Sequence, residues 1–111
     1  MYGDLYNELN QKQKELDISI KSLRKTGTEW AEAERDYKIV LSNEVLRLRN
    51  EGMKVTIIPL VVYGIQEVAT KRYMRDMKEA VYNANQEAIN SIKLQIRIIE
   101  NQLNREWGAN K

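Results

Sequence analysis

Apolar residues recur every seven positions through the first half of the chain: Leu9, Leu16, Leu23, Trp30 and Tyr37 form one series. Tyr6, Ile20, Leu41 and Leu48 fill many of the companion positions. That spacing marks a helix with one buried seam. Asp4 stands where a helix cap is needed, and Gly52 follows Arg49-Asn50-Glu51 as a stop signal with basic residues in the last turn, so the helix is predicted from about residue 4 to about residue 51. Gly27 is its weak point. Glycine costs about 1 kcal/mol inside a helix, and Thr26 and Glu29 have capping-box spacing. Either the helix kinks or breaks there, or Gly27, which falls on the seam, admits a second helix at close range.

After Gly52 the pattern changes to Met53-Lys54-Val55-Thr56-Ile57-Ile58-Pro59-Leu60-Val61-Val62-Tyr63-Gly64, apolar and β-branched with a proline in the middle. This is the connection, residues 52 to 64. Ile58 is pushed away from helical dihedrals by the proline that follows, while Pro59 suits a first helical turn, so a second helix starts near residue 59 or an extra short turn of helix lies between Thr56 and Tyr63.

Helical spacing resumes from residue 65 to about 107, with Met74, Met77, Val81, Ala84 and Ala88 followed by Ile92, Ile96, Ile99 and Leu103. The step from Ala88 to Ile92 keeps these on one face only through a four-residue stutter. Ile92-Lys93-Leu94-Gln95-Ile96-Arg97-Ile98 alternates like a strand, but its flanks continue at helical spacing and no turn signal bounds it, so it is read as helix.

The predicted fold is therefore all-α: a single domain over residues 1–111, built as a long antiparallel two-helix hairpin of coiled-coil type. Each helix of about 45 residues would be about 65 Å long. A turn centred near residue 56 or 57 would place Trp30 near Asn83, Ile20 near Lys93, and Leu5 and Leu9 near Trp107 and Leu103. Tyr2, Tyr6 and Trp107 would then gather at the open end. Near that end Leu16, Ile18, Ile20 and Leu23 face a segment whose isoleucines and leucines point to more than one side, with Leu94 and Ile98 well off the stripe of Ile92 and Ile99. One partner helix cannot cover both sides. Self-association into a four-helix or larger bundle is expected, with Leu16, Ile20, Leu23, Ile92, Leu94, Ile96, Ile98 and Ile99 as its candidate core.

Composition narrows the chemistry. The chain has 42% apolar and 31% charged residues, too many apolar for a disordered chain and enough charge for a protein in water. The longest apolar run, Val55 to Tyr63, is far short of the about 20 residues a membrane span needs. No membrane partner is expected. Met1 to Glu8 has neither a basic nor an apolar leader region, and there is no cysteine, so a reducing cytoplasm is the expected compartment. Histidine is absent too, which removes the commonest general base and metal ligand. Residues 1–52 carry nine basic and ten acidic side chains and residues 53–111 carry nine and six, a mild basic bias in the second half that nominates no partner.

Three features remain. The carboxylates Glu29, Glu32, Glu34 and Asp36 could mimic a metal site, but helix-bundle carboxylate sites normally add histidines, and Glu34 lies at ion-pairing distance in sequence from Lys38. They are read as a solvated charged face, with no catalytic residue, metal or cofactor assigned. Lys71, Arg72, Arg75 and Lys78 make a candidate nucleic-acid strip, Lys71, Arg75 and Lys78 falling within about 60° of one another on a helix, with Tyr73 read as seam or rim packing. Val55, Ile57, Ile58, Leu60, Val61, Val62 and Tyr63 make a candidate partner-binding apolar tip, since contiguous apolar surface either folds back or marks an interaction site.

Gly27, the run Ala31-Glu32-Ala33-Glu34-Arg35-Asp36-Tyr37, the Leu-Arg-rich stretch ending at Gly52, Val55-Thr56, Gly64 and Arg72 together resemble small helical-hairpin proteins of bacteriophages and prophages of Gram-positive bacteria. The resemblance implies a phage or prophage origin and residence in a bacterial host's cytoplasm, and it carries over no catalytic residue. The expected function is a non-enzymatic, homo-oligomeric interaction module that binds a protein, as an inhibitor of a host factor or defence system or as an adaptor. The alternative is an accessory protein of phage DNA replication or recombination.

Overall fold

The computed structural model describes residues 2–109, with side chains for 3–108. Its elements are α1 (Tyr2–Asn50), α2 (Ile58–Val62) and α3 (Gln66–Ala109), with no strand among the described residues. The strand-like run 92–98 is helical. α1 and α3 pack against each other within two compact units, Thr26–Tyr82 and Met1–Lys25 with Asn83–Lys111.

α1 starts two residues before Asp4, which sits in its first turn beside the positive helix end rather than at the cap. It ends as Gly52 foretold. Gly52 takes φ +89°, its N–H donates to the carbonyl of Arg49 at 3.0 Å, and the N–H of Met53 donates to that of Leu48 at 3.1 Å. These two bonds define a Schellman stop, which needs the left-handed backbone that glycine adopts at no steric cost. Met53 and Leu48 both join the apolar cluster there.

α1 does not break at Gly27. A Cβ at that position would lie 3.2 Å from Cε2 of Tyr82, and the Tyr82 ring continues onto Trp30, with centroids 5.2 Å apart and planes tilted by 37°. The missing side chain makes room for an aromatic from the other helix.

The connection holds one short helix between turns. Ile57 and Ile58 donate to the carbonyl of Lys54 at 2.9 and 3.2 Å, and α2 follows with Pro59 in its first turn, where a missing N–H costs nothing. The bias of a pre-proline residue against helix does not hold at Ile58, which burial fixes in the core. α2 stops at Val62, and Gly64 and Ile65 donate to Val61 and Val62 before α3 begins. Ile58, Val62 and Val68 close over Tyr37 and Leu48, with Val40, Leu41, Val45, Met53 and Ile65 packed around them. Val68 is 0% and Val62 2% exposed, the deepest apolar side chains described.

The expected seam needs two corrections. On α3 the covered positions include Val68, Lys71, Arg75, Lys78 and Tyr82 in one unit and Asn85, Ile89, Ile92, Ile96, Ile99 and Leu103 in the other. Val68, Arg75, Tyr82, Ile89, Ile96 and Leu103 are seven apart without interruption, so no stutter lies between Ala88 and Ile92. Met74, Met77, Val81, Ala84 and Ala88 are exposed. The irregular step is on α1 instead, where the buried Tyr37 and Leu48 are eleven residues apart and Leu41 and Val45 fill the interval. Tyr6 and Ile20, expected beside the seam, are about half exposed. In the unit of residues 1–25 and 83–111 the helices run antiparallel: Asn85 Nδ2 donates to the carbonyl of Ser19 at 3.1 Å, and Asp4, Leu5 and Glu8 line one hollow with Gln102, Arg105 and Glu106.

Val68→Ala is expected to cost about 2 kcal/mol through the cavity it leaves, and Gly27→Leu about 1–3 kcal/mol by overpacking against Tyr82. Gly27→Ala is expected to be near neutral, because the helix-propensity gain of about 1 kcal/mol offsets a small displacement of the ring. Urea denaturation of the three variants reads all three values.

Candidate functional site

The seven residues of the apolar tip divide by face. Ile58 and Val62, four apart, point into the core, while Val55, Ile57, Leu60, Val61 and Tyr63 are exposed. Leu60 is 79% and Val55 67% open to solvent. A five-residue helix anchored by one side has no element left to cover the other. The surrounding charge is basic. The Arg72 guanidinium lies over the Tyr63 ring at 5.3 Å from its centroid, Arg49 and Lys54 are exposed, and the acid Glu51 is held by Arg47 at 2.8 Å. Arg47 also bonds Glu44 at 2.7 Å, and these carboxylates raise its pKa above the ordinary arginine value.

The candidate nucleic-acid strip is not an outward-facing row. Arg75 and Lys78 lie between the helices of their unit: Lys78 Nζ is 3.2 Å from Glu29 Oε2, and Arg75 Nε is 3.4 Å from Glu34 Oε2. Arg75 also stacks over Tyr37 at 4.5 Å and bonds Asp76 at 2.8 Å. Its pKa is raised, chiefly by the hydrogen bond to Asp76. Lys71 is half-buried and only Arg72 is exposed. Lys71, Arg75 and Lys78 share one partly buried face, the seam, and Arg72 lies off it. Acids at Glu29 and Glu34 opposite the bases were the signal that could have shown it.

Glu29, Glu32 and Asp36 form one wall of a shallow groove of about 320 Å³ whose other wall is Lys71, Met74 and Lys78. Glu34 is shared between Arg75 and Lys38, the latter at 3.6 Å. Among the described residues no group of three or more acidic side chains is placed to hold a metal. The chain has no histidine or cysteine, and within the groove Glu29 is paired with Lys78.

The candidate oligomer core divides as well. Ile99 is buried, and Leu16, Leu23, Ile92 and Ile96 are partly buried in their own unit, while Ile20, Leu94 and Ile98 are exposed. Tyr6 and Trp107 are more than half exposed, and the side chain of Tyr2 lies outside those described. Tyr73, read as seam or rim packing, is 66% exposed on the outer side of α3.

No protein-family model matches the chain, and neither a curated protein nor a solved structure matches it. No helix among the described residues is long and apolar enough to cross a membrane.

Arg75→Ala is expected to cost about 1–2 kcal/mol, combining the stacking on Tyr37 with two ion pairs. Lys38→Ala, which removes one exposed pair, should cost about 0.5 kcal/mol or less. Equal losses in thermal denaturation at low salt would show that the contact with Tyr37 contributes nothing.

Proposed function

We propose that this chain is a non-catalytic interaction module of phage type, a homo-oligomeric helical hairpin that binds a protein partner through its closed end. It acts as an adaptor or as an inhibitor of a host factor or defence system. The observation that carries this reading is the outward face of α2 and its flanks, where Val55, Ile57, Leu60, Val61 and Tyr63 stand exposed on a framework anchored by Ile58 and Val62. Apolar side chains so arranged favour a protein partner, because burying them is the main favourable term in association. The phage and cytoplasmic parts of the reading rest on the sequence resemblance.

The alternative, contact with nucleic acid in phage replication or recombination, has less support. Two of its four cations, Arg75 and Lys78, already have carboxylate partners within the chain. The oligomeric part draws support from apolar side chains left outside the helix pairs, Ile20, Leu94 and Ile98 among them, which a four-helix bundle would cover.

A pull-down from bacterial lysate, with and without nuclease, tests the choice. A protein partner retained after nuclease and lost with Val55→Asp/Leu60→Asp, whose circular dichroism should match the wild type, is the expected result. Captured material that disappears on nuclease treatment and is still captured by that variant would sink the reading. Ile58→Asp is unsuitable as the test, because it places a charge in the core and should unfold the closed end.

A further inference from the structure

We propose that the outer face of α3 in the Thr26–Tyr82 unit is the interface for a second copy of this chain, paired antiparallel about Met77. This rests on the oligomeric part of the proposed function and is independent of the closed end. It is a second surface, separate from the Leu16 to Ile99 set.

Tyr73, Met74, Met77 and Val81 are all exposed. Their spacing of three and four places them on one side of the helix, with Thr70 and Ala80 between them. The covered residues Lys71, Arg75, Lys78 and Tyr82 turn toward α1, and of this face Met74 alone borders the groove beside α1. Seven of the seventeen residues from 66 to 82 are charged, and none falls among these six. An uncharged face about 17 Å long on so charged a helix is what helices bury and not what they offer to water.

The order of side chains names the occupant. Tyr73 and Met74 make the N-terminal half bulky, and Ala80 and Val81 make the C-terminal half small. Parallel copies would set bulky against bulky and leave gaps between the small residues. An antiparallel copy with its two-fold axis at Met77 sets Tyr73 against Val81 and Met74 against Ala80, twice over, with Met77 against Met77. One surface then complements itself, as a two-fold interface requires, and large residues interleave with small ones at helix-packing distance. Asp76, at the edge of the face, carries its own counter-ion in Arg75 at 2.8 Å. Methionine, unbranched and polarisable, suits the self-contact at the axis.

A face this short buries on the order of 400–500 Å² per copy, against about 800 Å² in a standard interface. Micromolar association is therefore expected. Sedimentation velocity on the full chain from about 1 to about 100 µM should show a dimer, weakened at least tenfold by Met77→Lys and unchanged by Leu60→Asp. The second result separates this surface from the closed end, so loss of partner binding and loss of the dimer are read independently. Because the chain has no cysteine, single introduced cysteines report the geometry even if Met77→Lys disturbs folding. Met77→Cys should oxidise to a covalent dimer. Tyr73→Cys alone should not, but should cross-link when mixed with Val81→Cys. A chain that stays monomeric throughout overturns the proposal and leaves the face to a different protein. So does a dimer that Met77→Lys leaves intact or Leu60→Asp abolishes, or one in which Tyr73→Cys cross-links to itself.

Discussion

A pair of helices can cover only one stripe on each partner, and this limit explains where the protein is well packed and where it is not. Along paired helices most seam residues stay partly exposed, because nothing closes the sides. Away from the closed end only Ile89, Ile99 and Leu103 are buried among the described residues, and a larger buried cluster forms where a third element is added. At the closed end α2 provides it, and there Ile58, Val62, Val68, Tyr37 and Leu48 reach the burial of an ordinary core. Each feature of the connection serves that placement. Gly52 turns the chain off α1, Pro59 starts a short helix, and the break before Gln66 lets α3 begin in a direction that brings Val68 inward.

Elsewhere in the Thr26–Tyr82 unit the seam is held differently. Lys78 with Glu29 and Arg75 with Glu34 occupy positions that a coiled coil would give to leucine. Ion pairs about a third exposed contribute at most about 1 kcal/mol each, so they do not hold the helices together by themselves. The aromatic contacts do more: Trp30 on Tyr82, Tyr82 over Gly27, and Tyr37 under Arg75 bury large surfaces in a space too open for aliphatic packing. The polar pairs add selectivity. Sliding one helix by a turn would separate Arg75 from both Glu34 and Tyr37 and bring Tyr82 against a residue with a side chain where Gly27 now stands, so register is set by few contacts of modest strength.

Much of this was legible in the sequence. Leu9, Leu16, Leu23, Trp30 and Tyr37 line α1 at the spacing that announced them, and Gly52 stops it through the left-handed backbone its residue type suggested. The second helix was legible as a helix but not as to its inner face. Reading for apolar residues selected Met74, Met77 and Val81, whereas packing selected Arg75, Lys78 and Tyr82. Hydrophobicity alone misleads there because the Arg75 guanidinium stacks on Tyr37 and, like Lys78, meets an acid of α1. The seven-residue ladder from Val68 to Leu103 was present in the sequence, with an arginine as its second rung. At the tip, the spacing of Ile58 and Val62 marked one face of a helix, but nothing local said that this face, rather than that of Leu60 and Val61, would find the core.

That choice of face links stability to recognition. α2 is too short to bury both sides, so the turn that seals Ile58 and Val62 over Tyr37 and Leu48 must present Leu60 and Val61 to solvent. The exposed surface is therefore not a mobile apolar loop that orders on contact. It is the back of a core element, fixed by the same packing that completes the fold, and a partner meeting it would meet side chains already positioned. Pre-positioning of this kind lowers the ordering entropy that a flexible segment gives up on binding. It allows a small protein to present a defined surface, and it makes the integrity of a handful of core residues, Val62 and Val68 above all, the condition on which that surface exists.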